Sequence, residues 1–227
     1  MGGWIDVPGR AGSATRAYLA RRASDEGAGV LVLHAWWGLS ETFQGVCDRL
    51  ADAGFIALAP DLYGDGRIAT TVDDAQAQVE DAFGDAMADR AETGLDALLA
   101  LPGLLGRQVG AVGFSMGAPW TLRLAARRPE LAAVVVFYGT GENDPGDSHA
   151  AYLGHFVPGD EWESDEDVAA LEAGLREAGR EVTFHRYPGT SHWFVEPDRP
   201  EFDRAAADLA WARTLEFLRE NLGPIGA

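Results

Sequence analysis

The sequence contains no lysine and only one cysteine, Cys47. A single thiol excludes an intramolecular disulfide and any zinc site built from several cysteines. Basic side chains are few: 18 arginines stand against 36 acidic residues, giving a formal net charge of −18. Nucleic acids and anionic membrane surfaces repel such a chain, so we expect neither as a partner.

Long hydrophobic runs are also missing. No stretch reaches the ~18 apolar residues that a membrane-spanning helix needs, and the first 30 residues hold no apolar segment of a secretory signal. We therefore expect a cytoplasmic protein. The 227 residues contain no repeat and no low-complexity linker, so a single domain over 1–227 is predicted. We expect the protein to be a monomer or a small homo-oligomer.

Short apolar runs alternate with longer amphipathic stretches. The predicted strands are Val30–His34, Phe55–Ala59, Val109–Phe114, Ala133–Tyr138, Tyr152–Val157 and Val182–Tyr187, with a further edge strand near Thr15–Ala20. Helices are expected after Ser40 and near 72–100, 116–128, 165–178 and 201–222. Because strand and helix alternate, an α/β fold is expected, with a mostly parallel central sheet and helices on both faces.

Local signals support the helix assignments. Thr71 with Asp74, and Ser164 with Asp167, have the spacing of capping boxes that open helices. Cys47 lies on the apolar stripe of the helix that follows Ser40, where a free cysteine acts as a small hydrophobic residue.

A Gly-x-Ser-x-Gly motif lies between a predicted strand and a predicted helix. Ser115 is flanked by Gly113 and Gly117 and directly follows the apolar run Val109–Phe114. A serine at such a junction is exposed on a strained turn, and the glycines permit strand and helix to approach closely. The context therefore predicts that Ser115 is a catalytic nucleophile.

A nucleophilic serine needs a base and an orienting acid, which follow it along the chain in the order acid, then histidine. His192 fits best, since it lies in a loop after the last predicted strand. Asp160 is the expected acid, because it is the first carboxylate after the turn that closes the preceding strand. The neighbouring Glu161, Glu163 and Asp165 remain alternatives for the acid, or form a solvated acidic face. The remaining histidines, His34, His149, His155 and His185, are interpreted as packed or solvent-facing.

The oxyanion of the transition state requires preorganised donors. We expect the backbone N–H of Met116 to be one and that of Trp36, in the loop after Val30–His34, to be the other. The aromatic residues near strand ends are expected to wall an apolar substrate pocket: Trp37, Tyr138, Trp162 and Trp193. The alternative is that several of them are core residues.

In combination, these motifs resemble the dienelactone hydrolase family of the α/β-hydrolase superfamily. The similarity runs from Val30 onward. It includes the oxyanion loop Leu31–Gly38, the Pro-Asp-Leu-Tyr that follows the next strand, the turn at Ser115, the acid turn Val157–Trp162 and the histidine loop Tyr187–Phe194. The resemblance implies an α/β-hydrolase fold and hydrolysis of esters or lactones, with no metal or organic cofactor.

Three departures from the family pattern bear on function. Founding members carry cysteine where this chain has Ser115, and glutamate in the oxyanion loop where it has Ala35. Some members bind a substrate carboxylate with arginine where this chain has Glu196. A serine hydrolase acting on a small neutral ester or lactone is therefore expected. A thioesterase or acyltransferase using the same residues, and a non-catalytic ligand-binding protein, are the alternatives.

Overall fold

A twisted, mostly parallel sheet forms the centre of the molecule. The computed structural model describes residues 2–9, 14–22, 26–142 and 145–223. Within these residues the strands are β1 (Gly3–Pro8), β2 (Ala14–Ala20), β3 (Gly29–Leu33), β4 (Ile56–Pro60), β5 (Val109–Phe114), β6 (Leu131–Phe137), β7 (Ala151–Phe156) and β8 (Val182–Arg186). Their order across the sheet is β1-β2-β4-β3-β5-β6-β7-β8. β1 and β2 run antiparallel to their neighbours, and the other pairs are parallel.

Helices cover both faces of this sheet. They are α1 (Glu41–Asp52), α2 (Val72–Ala82), α3 (Asp85–Leu99), α4 (Gly117–Ala125), α5 (Asp165–Glu177) and α6 (Arg204–Leu222). α1 and α6 pack on one face, and α3, α4 and α5 on the other, so each face buries its own apolar cluster. In the described part of the chain, no helix has the length and apolar character needed to cross a bilayer. The expected α/β architecture is confirmed.

Two predicted elements differ from the structure. The strand near Thr15–Ala20 is not at the edge, because β1 pairs outside it. The predicted helix over 72–100 is two helices, α2 and α3, divided at Phe83 and Gly84. Gly84 has a φ of 151°, which no helix accommodates, so the helical hydrogen-bond ladder ends there. A helical pattern of apolar residues on both sides conceals this break in the sequence.

The predicted caps and the environment of the cysteine are confirmed. The Thr71 side chain accepts a hydrogen bond from the Asp74 N–H, and Ser164 accepts one from the Asp167 N–H. Cys47 is fully buried in the α1 interface, and burial raises the pKa of its thiol. It is therefore an inert packing residue.

A carboxyl group is buried beside the loop that carries His192. Glu196 is 1% exposed, and its Oε1 accepts a 2.6 Å hydrogen bond from the Tyr138 hydroxyl. Its Oε2 has no partner among the described residues. Burial raises the pKa of Glu196 to about 8. Glu196 is thus a core residue, enclosed in the protein and not exposed to a substrate.

The raised pKa of Glu196 makes stability depend on pH. Between the ordinary glutamate pKa of about 4.3 and the folded value of about 8, the folded state holds a proton that the unfolded state has lost. The free energy of unfolding therefore falls as pH rises through this window. Glu196→Gln removes this titration and retains an acceptor for Tyr138. We expect the variant to gain stability relative to wild type from pH 5 to pH 8, with a slope approaching about 1.4 kcal/mol per pH unit.

Chemical denaturation at several pH values measures this difference. Glu216→Gln is the matched control, because Glu216 is an exposed residue of α6. It should follow the wild-type curve at every pH. A Glu196→Gln curve that runs parallel to the wild-type curve would contradict the assigned titration.

Candidate active site

Ser115 lies on a strained turn between β5 and α4. Its φ of 46° is in the left-handed region, which costs a non-glycine residue about 1–3 kcal/mol. Its N–H donates to the Phe137 oxygen at 2.9 Å, and its own carbonyl accepts from the Ala118 N–H at 2.8 Å. These bonds hold the turn in place and direct the Ser115 side chain away from the sheet.

The two flanking glycines are required because no space remains for a side chain. A Cβ at Gly117 would overlap the backbone oxygen of Leu33, and one at Gly113 would overlap the Thr121 side chain. Any larger residue would push α4 away from the sheet and displace the turn. The close strand–helix approach expected from the motif is therefore present.

Ser115, His192 and Asp160 form a continuous line of hydrogen bonds. Ser115 Oγ lies 3.0 Å from His192 Nε2, and His192 Nδ1 lies 2.8 Å from Asp160 Oδ2. Ser115 follows β5, Asp160 follows β7 and His192 follows β8. Because the carboxyl ends of parallel strands share one edge of the sheet, residues separated by up to 77 positions meet there.

The structure separates Asp160 from the other three acids. The Asp160 side chain is 1% exposed, and its second oxygen accepts from the Trp162 N–H at 2.9 Å. Glu163 instead accepts two hydrogen bonds from Thr140. Asp165 accepts from the Gly159 N–H, and Glu161 is exposed. Of the four carboxylates, Asp160 is the one in contact with His192.

The loop after β3 is positioned by a buried histidine. His34 Nε2 accepts from the Leu62 N–H at 3.0 Å, so the proton lies on Nδ1, which donates to the Ala35 carbonyl at 2.7 Å. Burial lowers the pKa of His34, which keeps it neutral. With Ala35 C=O directed at His34, the N–H of the same trans peptide, which belongs to Trp36, points the opposite way.

Two backbone N–H groups are available near Ser115. The Trp36 carbonyl accepts a 2.8 Å bond from the Tyr63 hydroxyl, which fixes the next peptide of the same loop. The N–H groups of Trp36 and Met116 donate to no acceptor in the residues that the structure describes. Preorganised, unpaired donors of this kind can stabilise a developing oxyanion.

A cleft of about 240 Å³ opens over Ser115 and His192. The other residues that line it are Trp36, Val79, Phe83, Met116, Pro119, Thr140, Trp162 and Glu163. Trp162 is 44% exposed and Phe83 is 51% exposed. Apolar and aromatic groups therefore form most of the wall.

Three of the four predicted pocket residues do not line this cleft. Trp37 and Trp193 are nearly inaccessible and pack against each other with ring centroids 5.2 Å apart. Tyr138 is fully buried and lies behind the His192 ring, bonded to Glu196. Their proximity to strand ends reflects core packing at that edge of the sheet. Only Trp162 lines the cleft as expected.

Sequence reasoning missed several lining residues. Val79 and Phe83 reach the cleft because the chain turns at Gly84, which the sequence pattern conceals. Thr140 follows β6, and its side chain contacts Glu163 from the next loop. For Glu163, the sequence predicts only an alternative orienting acid. The Phe-Gly pair at 83–84 was the available signal for the turn.

Comparison with known proteins identifies the family. The profile of the dienelactone hydrolase family matches residues 15–222. Protein usf of Aquifex pyrophilus is 31% identical over 208 residues, which cover 86% of this chain and 89% of that protein. Carboxymethylenebutenolidase 1 of Cupriavidus pinatubonensis is 27% identical over 228 residues, covering 94% of this chain and 95% of that protein.

A solved structure agrees over nearly the whole chain. The dienelactone hydrolase-like promiscuous phosphotriesterase from metagenomic libraries has a TM-score of 0.87 and 25% identity, and the match covers 98% of this chain and 99% of that one. The family match is the one expected from the motifs. The chain belongs to the dienelactone hydrolase family, and it is a carboxylic ester hydrolase with the α/β-hydrolase fold.

Proposed function

We propose that this protein is a serine hydrolase that cleaves a small ester or lactone through an acyl-enzyme. The observation that carries the proposal is the pair of hydrogen bonds that join Ser115, His192 and Asp160 beside a cleft. Carboxymethylenebutenolidase 1, by its name, acts on a lactone, which supports the substrate class. No metal or organic cofactor is needed for this chemistry.

The first half of the reaction forms the acyl-enzyme. His192 Nε2 takes the proton from Ser115 Oγ while that oxygen attacks the ester carbonyl carbon. The resulting oxyanion accepts hydrogen bonds from the N–H groups of Trp36 and Met116. The C–O bond to the leaving group then breaks, and the alcohol leaves with the proton held by His192.

The second half releases the acid. A water molecule gives its proton to His192 and attacks the acyl carbon, and Ser115 is regenerated when the proton returns to its oxygen. Throughout, Asp160 accepts the Nδ1–H of His192, which selects the required tautomer and stabilises the imidazolium ion. The Asp160 carboxylate is buried, and the hydrogen bond from the Trp162 N–H holds it in this orientation.

The nucleophile is tested by chemical labelling. A fluorophosphonate should form an adduct on Ser115, located by mass spectrometry of the digested protein. Ser115→Ala should lose the label and lower kcat by several orders of magnitude, leaving only binding and oxyanion stabilisation. Ser191→Ala is the matched control, since Ser191 is exposed and adjacent to His192 in the chain. Unchanged labelling in Ser115→Ala would disprove the assignment.

The acid and base are tested by the pH dependence of turnover. Neutral imidazole is needed to accept the serine proton, so kcat/KM should rise with pH and then level off. Asp160→Asn should lower kcat by about ten-thousandfold, because the amide favours the wrong tautomer of His192. Glu161→Gln, which removes the exposed neighbouring charge, should retain wild-type turnover. Full activity of Asp160→Asn, with loss of activity in Glu161→Gln, would reassign the orienting acid.

A further inference from the structure

The cleft over Ser115 contains a carboxylate that the proposed reaction does not use. Glu163 lines the cleft together with Ser115 and His192. It is the only acidic residue there, and no arginine lines the cleft among the residues that the structure describes. Glu196, by contrast, is buried in the core and does not line the cleft.

Glu163 is held in a defined orientation. Its Oε2 accepts from the Thr140 N–H at 3.0 Å, and its Oε1 accepts from the Thr140 hydroxyl at 2.6 Å. Each carboxylate oxygen has about two lone-pair sites, so one on each oxygen remains for a ligand. Burial raises the pKa of Glu163, whereas the two bonds from Thr140 oppose that shift. Both bonds are donated to the carboxylate, which favours its ionised form.

Aromatic rings stand beside this carboxylate. The rings of Trp36 and Trp162 pack edge to face with centroids 5.0 Å apart, and both residues line the cleft with Glu163. The face of a tryptophan ring attracts a cation, and the attraction is strengthened in a partly desolvated site. A carboxylate that shares a cleft with tryptophan rings, with no arginine among the described lining residues, is suited to a positively charged group and repels a negatively charged one.

We infer that the cleft takes an ester substrate that carries a positively charged nitrogen, bound by Glu163 and by the Trp36 and Trp162 rings while its acyl carbon lies at Ser115. This inference rests on the proposed function, because it assigns a substrate class to the same site. The net charge of −18 acts in the same direction, since it attracts cationic substrates over a longer range.

Glu163 also joins the loop after β6 to the loop that carries Asp160, so its substitution could disturb catalysis generally. A structural effect would lower the turnover of all esters alike. Loss of a cation site would instead change the ratio of kcat/KM for a charged ester to kcat/KM for its neutral isostere. The ratio is therefore the measurement that separates the two roles.

Butyrylcholine and 3,3-dimethylbutyl butyrate are a suitable pair, because they differ by a quaternary nitrogen in place of a quaternary carbon. Wild type should have a kcat/KM about tenfold or more higher for butyrylcholine, and Glu163→Gln should remove most of that preference. Part of the preference should persist at 0.5 M salt, where long-range attraction is screened but close contacts are not. Glu166→Gln removes an exposed charge from the first turn of α5 and should leave the ratio unchanged.

Binding of tetramethylammonium tests the site without any turnover. Saturation-transfer NMR on Ser115→Ala should detect the bound cation, and the signal should be lost in Ser115→Ala/Glu163→Gln. If wild type hydrolyses neither ester, the proposed function fails for these substrates, and the NMR result still decides the cation site. If the cation binds only when Glu163 is present, but Glu163→Gln leaves the ratio of kcat/KM between the two esters unaltered, the cation site is supported. The charged nitrogen of the substrate then lies in its acyl part. Absence of Glu163-dependent binding together with an equal ratio in wild type and Glu163→Gln would overturn the inference.

Discussion

The close contact between β5 and α4 is the constraint on which the rest of the site depends. Gly113 and Gly117 leave no room for a Cβ, so the chain must reverse sharply within one residue. Ser115 takes up that reversal with a φ of 46°, and hydrogen bonds from the sheet and the helix offset the strain. The serine hydroxyl is consequently directed outward at a fixed position, and all its partners are arranged around it.

The surrounding loops are held by buried polar groups. His34 joins the loop after β3 to the segment after β4 and orients the peptide whose N–H faces the cleft. Tyr63 bonds the next carbonyl of the same loop. On the other side, the Tyr138–Glu196 pair supports the His192 ring from behind. Each of these groups is buried and bonded, so the loops have few alternative conformations in which their polar atoms would be satisfied.

The electrostatics of the cleft differ from what the family pattern implied. The Glu196 carboxyl does not face the cleft, because it is enclosed in the core and bonded to a phenol. The acidic residue that lines the cleft is Glu163, contributed by the loop that also carries Asp160. One short loop therefore supplies both Asp160, which is hydrogen-bonded to His192, and Glu163, which lines the cleft. The family supplies the reaction class, and the residues that line the cleft determine which substrates it admits.

The sequence by itself determined the alternation of strands and helices, the nucleophile turn and the chain order of serine, acid and histidine. These features are local: a Gly-x-Ser-x-Gly motif after a buried strand, caps such as Thr71 and Ser164, and a loop histidine are set by neighbouring residues. It also favoured Asp160 as the acid by its position after the turn, but left three nearby carboxylates as alternatives. That choice depends on side-chain direction within a loop, where no periodicity constrains it.

Only the tertiary structure decided which aromatic residues and which carboxylate line the cleft. Trp37, Tyr138 and Trp193 follow strand ends in the same way as Trp162, yet three are packed inside and one is exposed. The break at Gly84 likewise brings Phe83 to the cleft, against a helical pattern that continues on both sides. Burial and direction depend on contacts between segments far apart in the chain. A sequence pattern depends only on neighbouring residues, so it cannot predict these long-range contacts.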